Sequence, residues 1–97
     1  MLIPARRLIE TDTLLAFEHP RPSYPVHILI VPRRFIAAIP EVQPEDSGLL
    51  GEVIVVVQSL VVSLGLQDCG YRLIVNGGQY QEFPQLHFHL VSEGAVS

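Results

Sequence analysis

The chain has 97 residues, room for a single domain over 1–97 and no second. Hydrophobic residues make up 48% of it and the mean hydropathy is +0.36, more apolar surface than so small a core hides, which predicts a homo-oligomer. Six arginines and no lysine against ten acidic residues give a net charge of -4, which excludes the basic excess that general DNA or RNA binding needs.

The first ten residues hold Arg6 and Arg7 but no apolar run of the kind a secretory leader carries, so the cytosol is the expected compartment. Ala5 to Glu10 and Thr13 to Glu18 predict two short strands around a Thr11-Asp12 turn. His19-Pro20-Arg21-Pro22-Ser23-Tyr24-Pro25 follows; its prolines predict a stiff, extended connection. Val26 to Val31 is almost wholly apolar and reads as a buried strand ended by Pro32. In the loop from Arg33 to Pro44, Ile36, Ile39 and Val42 are the expected anchors, and Arg33-Arg34 is expected to be solvated.

Pro44-Glu45-Asp46-Ser47 places carboxylates where a helix start favours them. Leu49, Leu50, Val53, Ile54, Val57, Leu60, Val61 and Leu64 then recur at helical spacing, and Gly65 is a natural stop. The valines would suit a strand, but a segment of ~18 residues is far longer than the usual strand. Val55, Val56 and Val62 fall off the main stripe, which predicts a second covered side, such as a partner subunit. The longest apolar stretch, Val53 to Leu66, is interrupted by Gln58, Ser59 and Ser63 and falls short of the ~20 residues of a membrane span, so no membrane association is expected. Cys69, the single cysteine, can form neither an internal disulfide nor a cysteine-rich zinc site, and is expected to be at least half-buried. Tyr71 to Val75 predicts a strand, Asn76-Gly77-Gly78 a turn, Gln79 to Pro84 a loop with Tyr80 and Phe83 as anchors, and Gln85 to Ser92 a last strand. The order β-β-β-α-β-β gives an α+β fold: a five-stranded antiparallel sheet packed against one main helix.

Along the last strand, Gln85, His87 and His89 alternate with Leu86, Phe88 and Leu90. A period of two puts the first three on one face and the apolar three on the other. Two imidazoles side by side are costly without a partner, and three readings stand. They are exposed surface histidines. Or one is a nucleophile that attacks phosphorus, its second nitrogen donating to a fixed acceptor, while its neighbour holds phosphate oxygens. Or His27, His87 and His89 form a zinc site, with Glu82 as a further ligand. Spacing alone does not separate these readings.

The segment Asn76-Gly77-Gly78 … Gln81-Glu82-Phe83-Pro84-Gln85-Leu86-His87-Phe88-His89-Leu90 resembles the signature of the histidine triad (HIT) superfamily, His-φ-His-φ-His-φ-φ with φ apolar. Ile3-Pro4-Ala5-Arg6 through Phe17 resembles the first hairpin of that family, Pro25 to Arg34 its third strand, and Leu66 to Asn76 its post-helix strand. The branch it is most similar to is the nucleoside phosphoramidate hydrolases of the Hint type. The resemblance implies a homodimer paired through the helix and an adjoining strand. It implies a purine nucleotide or nucleoside phosphoramidate as ligand, attack at the α-phosphate through a nucleotidyl-histidine, and no metal or other cofactor. By the same resemblance His87 is the nucleophile, His89 contacts phosphate and His27 braces the site. Asn76, Gln81 and Glu82 fall at phosphate-binding positions, and Phe17 and His19 at nucleoside-binding ones.

The sequence also departs from the family. Gln85 stands where the first triad histidine belongs; it can orient a neighbour but cannot carry a proton. His19 or Glu18 occupies the place of an aspartate that grips ribose hydroxyls, and Glu82 a place often held by Ser or Thr. Phe35 sits where a further histidine is usual. The family's N-terminal helix, often with a Cys-x-x-Cys zinc pair, is expected to be missing and the C-terminus short, which predicts a shallow nucleoside pocket with weak base preference. These departures leave a second reading, a catalytically degenerate HIT-like nucleotide- or phosphate-binding protein.

Overall fold

The computed structural model describes residues 6–94; the expected strand start at Ala5 and the Ile3-Pro4-Ala5 block lie outside them. Strands β1 (Arg6–Glu10), β2 (Leu14–Glu18) and β3 (Val26–Pro32) precede helix α1 (Ser47–Ser63), and β4 (Arg72–Val75) and β5 (Phe88–Ser92) follow it. They form one antiparallel sheet in the order β1-β2-β3-β5-β4, as expected from the element order. The last strand is inserted between β3 and β4, so β5 is fully flanked and β4 lies at the sheet edge.

The ladder of β5 begins at Phe88, three residues later than alternation predicts. The reason is competition for backbone partners. Leu86 donates its N–H to the Ile36 carbonyl (2.7 Å) and Gln85 donates to Phe83 (2.8 Å), so this stretch is tied to loops rather than to a strand. The alternation of faces survives: Leu86, Phe88 and Leu90 are buried, while Gln85, His87 and His89 are half-buried.

Helix α1 is preceded by a capping box in which the Gln43 N–H donates to Asp46 Oδ2 (3.0 Å), and Asp46 also pairs with Arg34. At its end the Leu66 N–H reaches the Val61 carbonyl and the Gly65 N–H that of Val62, with Gly65 at φ 68°. This is a Schellman ending, which needs a residue at ease in the left-handed region. Val53, Val56, Val57, Leu60 and Val61 pack on Leu14, Ala16, Ile28, Ile30, Phe88 and Leu90. Each such burial contributes about 1.5–3 kcal/mol before chain entropy is subtracted.

Several side chains fall differently from the sequence expectation. Val56 belongs to the core stripe, whereas Val55 (63% exposed) and Val62 (62%) face outward with Leu50 and Ile54. Of the three expected loop anchors only Ile36 is buried; Ile39 and Val42 are exposed. Tyr80 and Phe83 are exposed as well, because the Gln81 side chain does the anchoring by donating to the Ala37 carbonyl (2.7 Å) and the Phe83 carbonyl (3.0 Å). Arg33 and Arg34 are not simply solvated, since they pair with Glu10 and Asp46. With its leading turn, Pro44–Ser63 contains an 18-residue window of mean hydropathy 1.5, long and apolar enough to cross a membrane. The segment outruns the expected Val53 to Leu66 stretch because the leading turn and Leu49-Leu50 extend it. Five of its residues are nevertheless buried against the sheet.

Candidate active site

The core takes Ile28, Ile30, Phe88 and Leu90, so residues of opposite parity occupy the other sheet face. Register aligns Phe17 with Leu29, Leu29 with His89, and His89 with Ile74 in one row across four strands. His27 lies two residues from Leu29 on the same face, and His87 two residues before His89. His19 follows β2 directly, its N–H donating to the His27 carbonyl (2.8 Å). All four histidines of the chain thus converge. Ring centroids lie 4.4 Å apart for His19 and His27, 5.1 Å for His27 and His89, and 4.9 Å for His87 and His89.

Hydrogen bonds fix which nitrogen of each ring carries the proton. The Ser23 backbone N–H donates to Nδ1 of His27 (3.0 Å). A nitrogen that accepts is unprotonated, so neutral His27 carries its proton on Nε2. That N–H lies 2.9 Å from Nδ1 of His89, which therefore accepts and carries its own proton on Nε2. The Arg21 N–H caps Nδ1 of His19 in the same way (2.9 Å). His87 is opposite: its Nδ1 lies 2.7 Å from the Gln85 backbone carbonyl, which can only accept. His87 thus holds its proton on Nδ1 and presents a lone pair at Nε2, the arrangement a nucleophilic imidazole requires.

Burial and mutual repulsion push His19, His27 and His89 toward the neutral form. Burial, then His87, His27 and His19, push His89 down to about 4. Burial and then His19 lower His27. Burial and His87 lower His19, and the Glu82 carboxylate partly offsets them. No lysine exists to add a fixed cation; Arg6, Arg7, Arg33 and Arg34 are paired with carboxylates, and the exposed Arg21 and Arg72 do not contribute to the shifts of His19, His27 or His89.

The remaining predicted site residues are placed as follows. Gln85 donates its side-chain amide to the Pro32 carbonyl (3.3 Å), so its backbone, not its side chain, orients His87. Asn76 is half-buried directly after Val75, the partner of Phe88. The Gln81 amide nitrogen is committed to the loop carbonyls. Glu82 is exposed on the rim, where its charge reaches His19. Phe17 is half-buried in the row that contains His89. Sequence reasoning missed the amides of Arg21 and Ser23 and the edge-on Phe83 ring, 6.5 Å from His87. The proline spacing was the available signal for the amides: between Pro20 and Pro25 only Arg21, Ser23 and Tyr24 possess a backbone N–H.

A five-stranded antiparallel sheet, one main helix and a histidine cluster beside the central strands define a HIT-domain protein. Residues 2–95 match the HIT domain family, and the chain belongs to it. It is 38% identical over 91 residues to an uncharacterized HIT-like protein of Synechococcus elongatus, covering 92% of this chain and 79% of that one. Among solved structures it resembles a HIT family hydrolase from Legionella pneumophila, with a TM-score of 0.88 and 36% identity over 98% of this chain and 87% of that one. A histidine triad protein from Clostridium difficile is similar at a TM-score of 0.88 and 28% identity, covering 98% and 84% respectively.

Proposed function

We propose that this protein is a Hint-type hydrolase or nucleotidyl transferase acting at the α-phosphate of a purine nucleotide or nucleoside phosphoramidate. The observation that carries the reading is the Nδ1–H of His87 held on the Gln85 carbonyl at 2.7 Å, which aims an unprotonated Nε2 outward beside His89. In this reading Nε2 of His87 attacks phosphorus, forming a P–N bond as the bond to the leaving amine breaks. The Nε2–H of His89 donates to a phosphate oxygen as charge builds there. Water then cleaves the nucleotidyl-histidine and releases the monophosphate. The amine leaves with a proton taken from solvent, and the water that cleaves the intermediate returns one, so His87 is neutral again once product has left. Asn76 and the backbone of the loop carrying Gln81 and Glu82 border the phosphate, and Phe17 and His19 border the nucleoside.

Gln85 stands at the first triad position and contributes no ionisable group. That, with the exposed negative charge of Glu82 on the rim, favours a second reading in which nucleotide is bound but scarcely turned over. Incubation with an amine phosphoramidate of adenosine separates the two. Monophosphate release that disappears in His87→Ala supports the enzyme, and equal background in both proteins supports the binder. If proton supply limits the rate, Gln85→His raises it.

The zinc reading fits the geometry poorly. Both ring nitrogens of His27 are already engaged, and the described residues hold no group of three His, Cys, Asp or Glu side chains suited to a metal ion. A homodimer built on α1 and edge strand β4 would cover Ile54, Val55, Val62, Tyr71 and Val75, all exposed in one chain.

A further inference from the structure

The imidazole lone pairs carry an inference that goes beyond that reading and rests on it. A neutral imidazole has one lone pair able to take a proton. In His19 it receives the Arg21 N–H, in His27 the Ser23 N–H and in His89 the His27 N–H, at 2.9, 3.0 and 2.9 Å. Protonating any of these three rings breaks a hydrogen bond and turns a donor toward a donor. In His87 the lone pair is on Nε2, which accepts no hydrogen bond from the described residues, and Nδ1 already donates to a carbonyl. His87 is therefore the one ring of the four that can become a cation without dismantling the cluster.

The site also needs a cation when it holds product. A nucleoside monophosphate carries between one and two negative charges near neutral pH. The groups facing His87 do not supply a fixed positive charge. Two residues along the chain it meets His89, from the proline loop His19, and from the preceding loop Phe83 and the Glu82 rim. Two of these are neutral imidazoles and one is a carboxylate. Anionic oxygens placed against Nε2 of His87 favour its protonation.

We propose that the monophosphate is bound together with one proton, carried on Nε2 of His87, so that the atom that attacks phosphorus becomes the cation that retains product. Capture is then self-limiting. While the proton is in place the nucleophile is blocked, and product is retained more tightly as pH falls. Where one proton is taken up with each ligand, linkage makes the affinity for adenosine monophosphate fall about tenfold per pH unit.

The experiment is calorimetric titration of the full chain with adenosine monophosphate at about pH 7.5, in two buffers of different ionisation enthalpy, where most of the phosphate is already dianionic. The expected result is a buffer-dependent heat corresponding to uptake of close to one proton. In His87→Asn, which keeps a polar side chain but no basic nitrogen, that uptake disappears and the pH slope of the affinity flattens. Uptake that persists in His87→Asn puts the proton elsewhere and overturns the inference, as does a heat independent of buffer. Thermal melts of both proteins confirm that the variant is folded; if it is not, His87→Gln replaces it. Failure of the nucleotide reading looks different: no binding heat in either buffer removes that reading and the inference with it.

Discussion

Replacing His27 by alanine tests the relay that sets the site. The substitution removes two part-buried hydrogen bonds, Ser23 N–H to Nδ1 and Nε2–H to Nδ1 of His89. Each is worth about 0.5–1.5 kcal/mol net, and orphaning the Ser23 amide or the His89 nitrogen adds a desolvation cost where water does not replace the ring. His27 is only 9% exposed, so truncation also leaves a gap in the row beneath the proline loop. A loss of roughly 2–3 kcal/mol follows, which for a domain of this size lowers Tm by about 10 °C or more. Water entering the gap also resolvates His89, whose value of about 4 is due first to burial and in part to His27, so its titration moves upward. Thermal denaturation and an NMR pH titration of the His89 ring read the two effects. His27→Gln, with an amide that can donate toward His89, recovers part of both. An alanine variant that melts with the parent and leaves the His89 titration unmoved would refute the relay.

Three further outcomes follow. Imidazole nitrogen NMR at neutral pH finds the proton on Nδ1 of His87 and on Nε2 of His19, His27 and His89; Nε2–H at His87 contradicts the nucleophile's orientation. Acid weakens the fold through the same cluster. His89, His27 and His19 have folded values lowered below the unfolded 6.5, so the unfolded chain binds more protons, and stability present above pH 6.5 is lost as pH falls toward about 4. Discounted for the solvent that still reaches His89, its share is on the order of 1–2 kcal/mol. Denaturant midpoints that stay level between pH 7 and 4.5 would count against this. On the exposed helix face, Val62→Asp converts the expected homodimer to monomer in light scattering with little change in the monomer's own packing; a variant that remains dimeric puts the interface elsewhere.

Much of the fold was legible because burial imposes periodicity. The spacing of Val53, Val57, Leu60 and Val61 announced α1, and alternation from Gln85 to Leu90 placed His87 and His89 on one face. Finer outcomes depended on competition that periodicity does not encode. Val55 and Val56 are chemically identical neighbours, and only the angle at which α1 lies on the sheet decides which is buried. Gln85 and Leu86 have strand-like alternation yet spend backbone bonds on loops. The site's central geometry was the least legible part, because its partners are main-chain groups. The Gln85 side chain drew attention as a missing histidine, while its carbonyl sets the proton on His87. Arg21 and Ser23 act through amides that every residue but proline possesses.

That last point bears on how the proline-rich loop is free to change. Its contribution to the site is written in the backbone, and the side chains of Arg21 and Ser23 point to solvent. The loop works as a mould whose shape is set by Pro20, Pro22 and Pro25 and whose two imprints are N–H groups. Substitution at 21 or 23 can therefore drift through most of the amino-acid alphabet with the imidazole tautomers unaltered, with proline as the one forbidden letter. The same economy holds the rings in their working orientation before any ligand arrives, so their ordering belongs to folding and not to each binding event.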